Sequence, residues 1–441
     1  MMSSLLIRNG TLVTLNAKQE VIEGGSVYIE GTKIVEAGKF SDNKHRADRV
    51  LDAKGGVIMP GLINAHHHLY STFARGFVPP GRPAENFKEI LEQLWWKLDY
   101  ALDAEDVYYS ALLVLLDCVK LGCTTVIDHH ASPMCRDGSL DQIERAFREA
   151  GINGCLCYEV SDRNVIGGGV EENERFIKKC RASGDDQITA LFGLHASMTI
   201  GRETMERCAE IARRTDTGFH VHAAEDAIDQ EVTQKEFGAR VMERFLDAGV
   251  TGPKTIFVHG IHLNEREFDI LAETKSMLLH NPESNMNNAV GAARWLDALK
   301  RGVLVGLGTD GMASAMIASA RAAYLLQRHQ LHDPRVAFGE SCELLLRNNA
   351  EICGRIFKDR RGVLEPGALA DVIVLDYVPL TPMSAGNFYG HFLFGLNYAP
   401  VTTTVCRGRV LLENGALCGV DEAALRRTGI ERAVKLWKRI K

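Results

Sequence analysis

The chain has no C-x-x-C pair, no basic excess and no long apolar run. Its eleven cysteines are odd in number and scattered, and Cys118, Cys155, Cys157 and Cys353 sit in apolar surroundings. Unpaired thiols in a chain this long argue against a disulfide framework and for a reducing cytoplasm. Lys and Arg total 51 against 57 Asp and Glu, a net charge of −6. A nucleic-acid binder carries a basic excess or stripe, so that class is set aside. The basic runs Lys178-Lys179-Cys180-Arg181 and Lys358-Asp359-Arg360-Arg361 read as solvated helix ends and loops. The best apolar run, Ala111 to Leu116, stops at Asp117, far short of the ~18 residues of a membrane span. Met1-Met2-Ser3-Ser4-Leu5-Leu6-Ile7-Arg8 lacks the apolar core and cleavage site of a secretory leader. The reading left is a cytoplasmic globular protein, and 46% hydrophobic with 24% charged residues suits a large core.

At 441 residues the chain exceeds an ordinary domain, though α/β barrels routinely do so as single units. Both ends read as β structure. Leu5–Arg8, Thr11–Leu15, Ser26–Glu30 and Lys33–Ala37 are strands separated by turn signals, and 370–376, 402–406 and 410–415 mirror them. Neither end has enough strands alone, so residues 1–58 and 364–441 are expected to combine into one small β-sandwich domain. Residues 59–363 alternate strand and helix. Strands are expected over 62–66, 124–128, 153–158, 189–194, 218–222, 255–259, 277–280 and 304–308, nearly all continuous apolar runs. Such runs suit a parallel sheet buried on both faces, and a (β/α)₈ TIM-type barrel is the economical fold.

In such a barrel chemistry sits at the C-terminal ends of the strands. Of fifteen histidines, His66, His68, His129, His130, His195, His222, His259 and His280 fall there, with Glu225 and Asp310. On a strand, residues i and i+2 face the same way, so His66 and His68 point together and His67 points away. His66, His68, His222 and Asp310 supply three nitrogens and one carboxylate oxygen, a set for one divalent metal, zinc first and ferrous iron second. Such an ion turns water into a hydroxide nucleophile at neutral pH. Glu225, three residues past a ligand, is placed to shuttle a proton, against the plainer reading of a surface ion-pair partner. His259 is placed to hydrogen-bond the attacking water or polarise substrate. His220 lies one layer deeper and reads as a satisfied core histidine, and His262 as a loop residue. The loop of 70–93, with Arg75, Arg82 and several aromatics, reads either as a lid over a planar ring or as ordinary packing.

Pro60-Gly61-Leu62-Ile63-Asn64-Ala65-His66-His67-His68, His222-Ala223-Ala224-Glu225, Val258-His259-Gly260, His280-Asn281-Pro282-Glu283-Ser284-Asn285 and Gly308-Thr309-Asp310-Gly311 resemble the amidohydrolase superfamily over essentially the whole chain. Together they are similar to its one-metal deaminase and chlorohydrolase branch. Leu94-Trp95-Trp96-Lys97-Leu98-Asp99, Asp128-His129-His130-Ala131-Ser132-Pro133 and Ser284-Asn285-Met286-Asn287-Asn288 resemble, more narrowly, aminohydrolases of the SsnA type. The resemblance implies hydrolysis of an exocyclic amino group on a nitrogen heterocycle, with release of ammonia. It gives Glu225, His259 and Asp310 catalytic roles and has His195 and His280 line the substrate site. It also implies a homodimer or higher assembly. His130 and Arg75 are added as candidate substrate contacts. Two-metal relatives carry a carboxylated lysine at the fourth strand; Leu191-Phe192-Gly193-Leu194-His195 has none, so one metal is expected. Hydrolytic dechlorination, cyclic-amide opening and a non-catalytic binding barrel remain as alternatives.

Overall fold

The computed structural model describes residues 3–41, 44–311 and 313–440. Met1 and Met2, the start of the segment read as leaderless, lie outside them. The two ends of the chain form one nine-stranded sheet. Val57–Pro60 is its junction, pairing parallel with Ser4–Val13 and antiparallel with Val372–Leu375. Strands from the two ends of the chain are therefore continuous in one sheet. Its interior is apolar, with Ile7, Leu12, Ile29, Ile58 and Val372 fully buried.

The junction strand feeds directly into the next one. Gly61 turns the chain, its N–H donating to the Asp371 carbonyl at 3.0 Å. A Cβ there would lie 2.2 Å from Thr124 Oγ1, so only glycine fits. Leu62–His67 then opens a four-stranded parallel sheet with Cys123–Asp128, Asn153–Leu156 and Ile188–Ala190. A five-stranded parallel sheet follows, from Phe192–Ala196 through Phe219–Ala223, Ile256–His259 and Met277–His280 to Leu304–Leu307. The strand expected over 189–194 is two strands, one in each sheet. Ile188–Ala190 pairs back to Asn153–Leu156, and Phe192–Ala196 pairs on to Phe219–Ala223. The other strands expected between 62 and 308 are present to within two residues of their ends, whereas Leu5–Arg8 and Thr11–Leu15, expected as two strands, are the single strand Ser4–Val13, and the strand expected from Ser26 starts at Val21.

Two isolated parallel bridges, His67–Asp310 and Val160–Leu194, link the sheets. A buried asparagine reinforces each seam. Asn349 donates to the carbonyls of Ile63 and Leu307 and accepts from the Leu307 N–H, all at 2.8 Å. Asn173 accepts from Tyr158 N–H at 2.9 Å and donates to its carbonyl at 2.7 Å, with longer bonds to Gly193. Both replace missing ladder bonds where backbone groups are buried from water.

Helices are present where helical patterns were read, among them Ala104–Lys120, Ser139–Ala150, Arg202–Arg214 and Met316–Leu331. Ala104–Lys120 starts at a capping box of Asp103 and Asp106. The end of the chain differs from the all-β expectation. Glu422–Trp437 is a helix, capped by Asp421 and docked on Ala104–Lys120. Arg432 joins Asp103, Glu105 and Asp106 there, and Trp437 Nε1 donates to the Phe73 carbonyl at 2.7 Å. No helix among the described residues is long and apolar enough to cross a membrane.

Asn349→Leu removes three buried hydrogen bonds and orphans their backbone partners. A destabilisation of at least about 3 kcal/mol is expected, measured as a lowered denaturation midpoint; an unchanged midpoint would show that the seam does not need this side chain.

Candidate metal centre and active site

His66 and His68 stand on one side of the first parallel strand and its exit, as an i, i+2 pair must. Hydrogen bonds fix which nitrogen of each ring is free. His68 Nδ1–H donates to the His129 carbonyl at 2.6 Å, and His222 Nδ1–H to the His195 carbonyl at 3.0 Å. In the neutral rings each Nε2 therefore carries the lone pair, and the two Nε2 atoms lie 3.2 Å apart. Two facing lone pairs repel unless a cation stands between them. His66 Nε2 is buried without a hydrogen-bond partner among the described residues. Its Nδ1 meets His220 Nε2 at 2.9 Å. Asp310 Oδ1 completes the group, 3.1 Å from His68 Nε2 and 3.7 Å from His66 Nε2.

The electrostatics divide the group: His66 and His222 are held neutral, whereas His68 pairs with Asp310. Burial holds the His66 and His222 imidazoles neutral, well below the ordinary histidine pKa. Burial also opposes charge on His68, but the Asp310 carboxylate outweighs it and raises that pKa to about 9. For Asp310, burial raises the pKa, yet the neighbouring His66 and His68 imidazoles outweigh it and hold it well below the carboxylate range. Three aligned imidazoles and an ionised carboxylate are the donor set a single divalent ion requires. The backbone is strained to make it: Ala224, His259 and Asp310 hold φ of 50°, 75° and 56°.

Glu225 and His259 adjoin this cluster, with Glu225 Oε2 3.4 Å from His259 Nε2. Asn288 Nδ2 donates to Glu225 Oε1 at 3.3 Å. Burial raises the Glu225 pKa to about 7, with His259 opposing and Asp310 adding to the rise. His259 Nδ1–H donates to Asn285 Oδ1 at 2.9 Å, which turns its Nε2 towards Glu225 and Asp310. Ser284 Oγ donates to Asp310 Oδ2 at 2.6 Å.

A pocket opens above the cluster, lined by His68, His195, His222, Glu225 and Asp310. His195 Nδ1–H donates to Thr199 Oγ1 at 2.7 Å, leaving its Nε2 3.8 Å from Glu159 Oε1. The loop of 70–93 contributes Tyr70, Ser71, Phe87 and Leu91 to the pocket lining. The structure does not bring the other expected contacts to the lining. Arg75 is half exposed and paired with Asp117 at 3.0 Å, because its strand-exit loop turns it outward. Arg82 is tied to Glu89 at 2.6 Å on the surface. His130 is buried against Ser132 Oγ at 2.8 Å, and His280 is buried beside Asn285 and Trp295.

Sequence reasoning passed over three groups. His220, read as core, is the partner that orients His66. Asp229 accepts from the N–H groups of Ala224 and Met198, at 2.8 and 3.0 Å, and so fixes the turn that presents Glu225. Asp99, Glu159 and Arg163 form a buried charged network at the pocket, with Arg163 Nη2 3.0 Å from Asp99 and 3.2 Å from Glu159. Glu159 follows the strand Asn153–Leu156, so a search of the strand ends for carboxylates as well as histidines finds it.

The Amidohydrolase family profile matches residues 57–411. The 5-methylthioadenosine/S-adenosylhomocysteine deaminase of Pelotomaculum thermopropionicum is 30% identical, covering 99% of this chain and all of that one. The 5′-deoxyadenosine deaminase of Methanothermobacter thermautotrophicus is 31% identical, covering 91% and 92%. In fold, the chain resembles a zinc-bound adenosine deaminase from Xanthomonas campestris, with TM-score 0.85, 23% identity and 98% of each chain covered. It also resembles an atrazine chlorohydrolase from Arthrobacter aurescens complexed with zinc, with TM-score 0.81, 22% identity, and 98% and 100% covered.

Elemental analysis of the purified protein is expected to find one divalent ion per chain, lost in His222→Ala and Asp310→Asn. Two tightly held ions per chain, or undiminished metal in both variants, would contradict this donor set.

Proposed function

The chain belongs to the amidohydrolase family, and on that premise we propose that it is a metal-dependent aminohydrolase. It is a hydrolase of carbon–nitrogen bonds other than peptide bonds, removing an exocyclic amino group from a nitrogen heterocycle as ammonia. His66, His68, His222 and Asp310 are the residues that would hold the ion, zinc first and ferrous iron second; relatives in fold complexed with zinc support that order. A divalent ion bound there supplies Lewis-acid chemistry, bringing the pKa of water towards neutrality.

The observation that carries the reading is Glu225, a carboxyl with pKa raised to about 7, 3.4 Å from His259 Nε2 and beside Asp310. A group of that pKa accepts a proton from attacking water and returns it to the leaving nitrogen with little penalty in either direction. Water adds to the ring carbon that bears the amino group. Glu225 carries the proton to that nitrogen, ammonia departs, and the ring keeps a carbonyl. His259 Nε2 faces the same space and stabilises the attacked centre, while Asp310 takes the second proton and passes it to the ring nitrogen, which ends as N–H beside the new carbonyl. Desolvation in the covered pocket strengthens each of these interactions.

The same reading treats residues 59–363 as a (β/α)₈ barrel closed at the Asn173 and Asn349 seams, and 1–58 with 364–441 as the composite β-sandwich domain. It places the enzyme in the cytoplasm as a homo-oligomer. The deaminases of 5′-deoxyadenosine and of 5-methylthioadenosine among its relatives make adenine nucleosides the first substrates to test.

Ammonia release from 5′-deoxyadenosine, 5′-methylthioadenosine and adenosine by zinc-loaded enzyme is the direct assay. Glu225→Gln is expected to keep its metal and lose turnover by about 10²- to 10⁴-fold; turnover equal to the parent enzyme removes Glu225 from the mechanism.

A further inference from the structure

The segment that covers the pocket is held at both of its ends by residues from the end of the helix Glu422–Trp437. The cover starts at the 3₁₀ turn Leu69–Ala74 and finishes in two α-helical pieces, Phe87–Ile90 and Trp96–Ala101, joined by the π turn Leu91–Trp95. Tyr70, Phe87, Leu91, Trp95 and Trp96 make it one wall of the pocket. The last carbonyls of a helical turn have no partner within it and must find one outside. At the start of the cover the Phe73 carbonyl accepts from Trp437 Nε1–H at 2.7 Å. At its finish the Ala101 carbonyl accepts from Arg439 Nε–H at 2.9 Å. Two side chains two residues apart thus tie together both ends of one long excursion of the chain.

The helix that presents Trp437 and Arg439 is itself firmly seated. Gly429 brings it so close to Ala104–Lys120 that a Cβ there would stand 2.2 Å from Leu113 Cδ1. Leu436 is fully buried, and Arg432 pairs with Glu105 and Asp106, each at 2.7 Å. Asp103 and Asp106 are also the capping box of Ala104–Lys120, and both pair with Arg432 and Arg439, directly after the cover ends. Asp117 serves the other end, taking Arg75 of the cover at 3.0 Å and Arg426 of the helix at 3.1 Å. The Phe77 and Trp437 rings pack there with centroids 5.5 Å apart. Between the anchors Arg82 pairs with Glu85 and Glu89, inside the cover itself, and adds no hold on the rest of the molecule.

We propose that the C-terminal helix is the strut of the pocket cover, with Trp437 and Arg439 as positioning residues that set where Phe87, Trp95 and Trp96 stand over the substrate. The inference rests on the aminohydrolase reading for what the pocket holds. A cover that lifts admits water and gives up its contacts with a bound ring, so anchoring its ends preserves binding without touching the reacting atoms. Local opening of such a segment has its own free energy, below that of global unfolding. If the cover moves as one unit, losing either anchor raises its opening along the whole length, and the two losses multiply.

Amide hydrogen exchange of the full-length, zinc-loaded protein reads that opening without any substrate. Exchange across Phe87–Ala101 is expected to quicken about 3- to 10-fold in Trp437→Phe and in Arg439→Met, and by about the product of the two in the double variant. The strands Leu62–His67 and Cys123–Asp128 should exchange as in the parent protein, with metal content unchanged. Arg439→Lys, which keeps a donor for the Ala101 carbonyl, should recover most of the protection that Arg439→Met loses. In the double variant KM for 5′-deoxyadenosine is expected to rise about 3- to 10-fold with kcat within about threefold, the mark of lost binding contacts. Unaltered exchange over Phe87–Ala101 in the double variant overturns the strut. So does faster exchange spread equally over the two strands, which marks a general loss of stability. A fall in kcat at unaltered KM overturns the positioning role. Exchange is read without turnover, so a protein that deaminates none of the nucleosides leaves the strut decided and refutes the aminohydrolase reading alone.

Discussion

Two imidazole lone pairs held 3.2 Å apart, beside an ionised carboxylate, are the constraint on which the rest of this structure depends. Left to themselves His68 and His222 would turn apart, or one would donate to the other. The carbonyls of His129 and His195 prevent both by taking the Nδ1 protons. His220 performs the same service for His66, and Ser284 for Asp310. Each outer bond fixes a tautomer or an orientation of the ring or carboxylate it meets.

That arrangement needs rigid strands brought close together. Gly308 shows how close: a Cβ there would stand 2.7 Å from His66 Cβ and 2.5 Å from Asn281 Oδ1. At the same seam, the N–H groups of Thr309 and Asp310 both donate to the His66 carbonyl, at 3.0 and 3.1 Å. Asp310 is therefore placed by the backbone of His66, and Asn349 continues the stitching one layer down. Asn349 follows a second π turn, Leu344–Asn348, as Asp99 follows the first. In both places the irregular turn re-aims a polar side chain that a regular helix would send elsewhere.

What could be read in advance follows from this division. The donors and Glu225 stand at the ends of short apolar strands, so strand periodicity and residue type together located them. The π-turn helix and the asparagine seams carry no comparable signal, since their meaning lies in partners 15 to 286 residues away or in one inserted residue. Arg75 illustrates the opposite failure. A cation in a loop near the first two ligands suggested a substrate contact, but loop direction is a tertiary property, and Asp117 was its partner. The division of 189–194 into two strands escaped for a related reason: a continuous apolar run gives no sign that its halves pair with different neighbours.

Two buried acids at the pocket, Glu225 and Asp99, both have pKa values raised to about 7 by burial, yet their settings assign them different work. Among the described residues Glu225 has no arginine or lysine partner; an amide and a histidine are its neighbours, so its proton is free to move. Asp99 is clamped by Arg163, and a carboxylate fixed to a guanidinium gains little from exchanging protons with a substrate. Its remaining oxygen is suited to accepting a hydrogen bond and holding it.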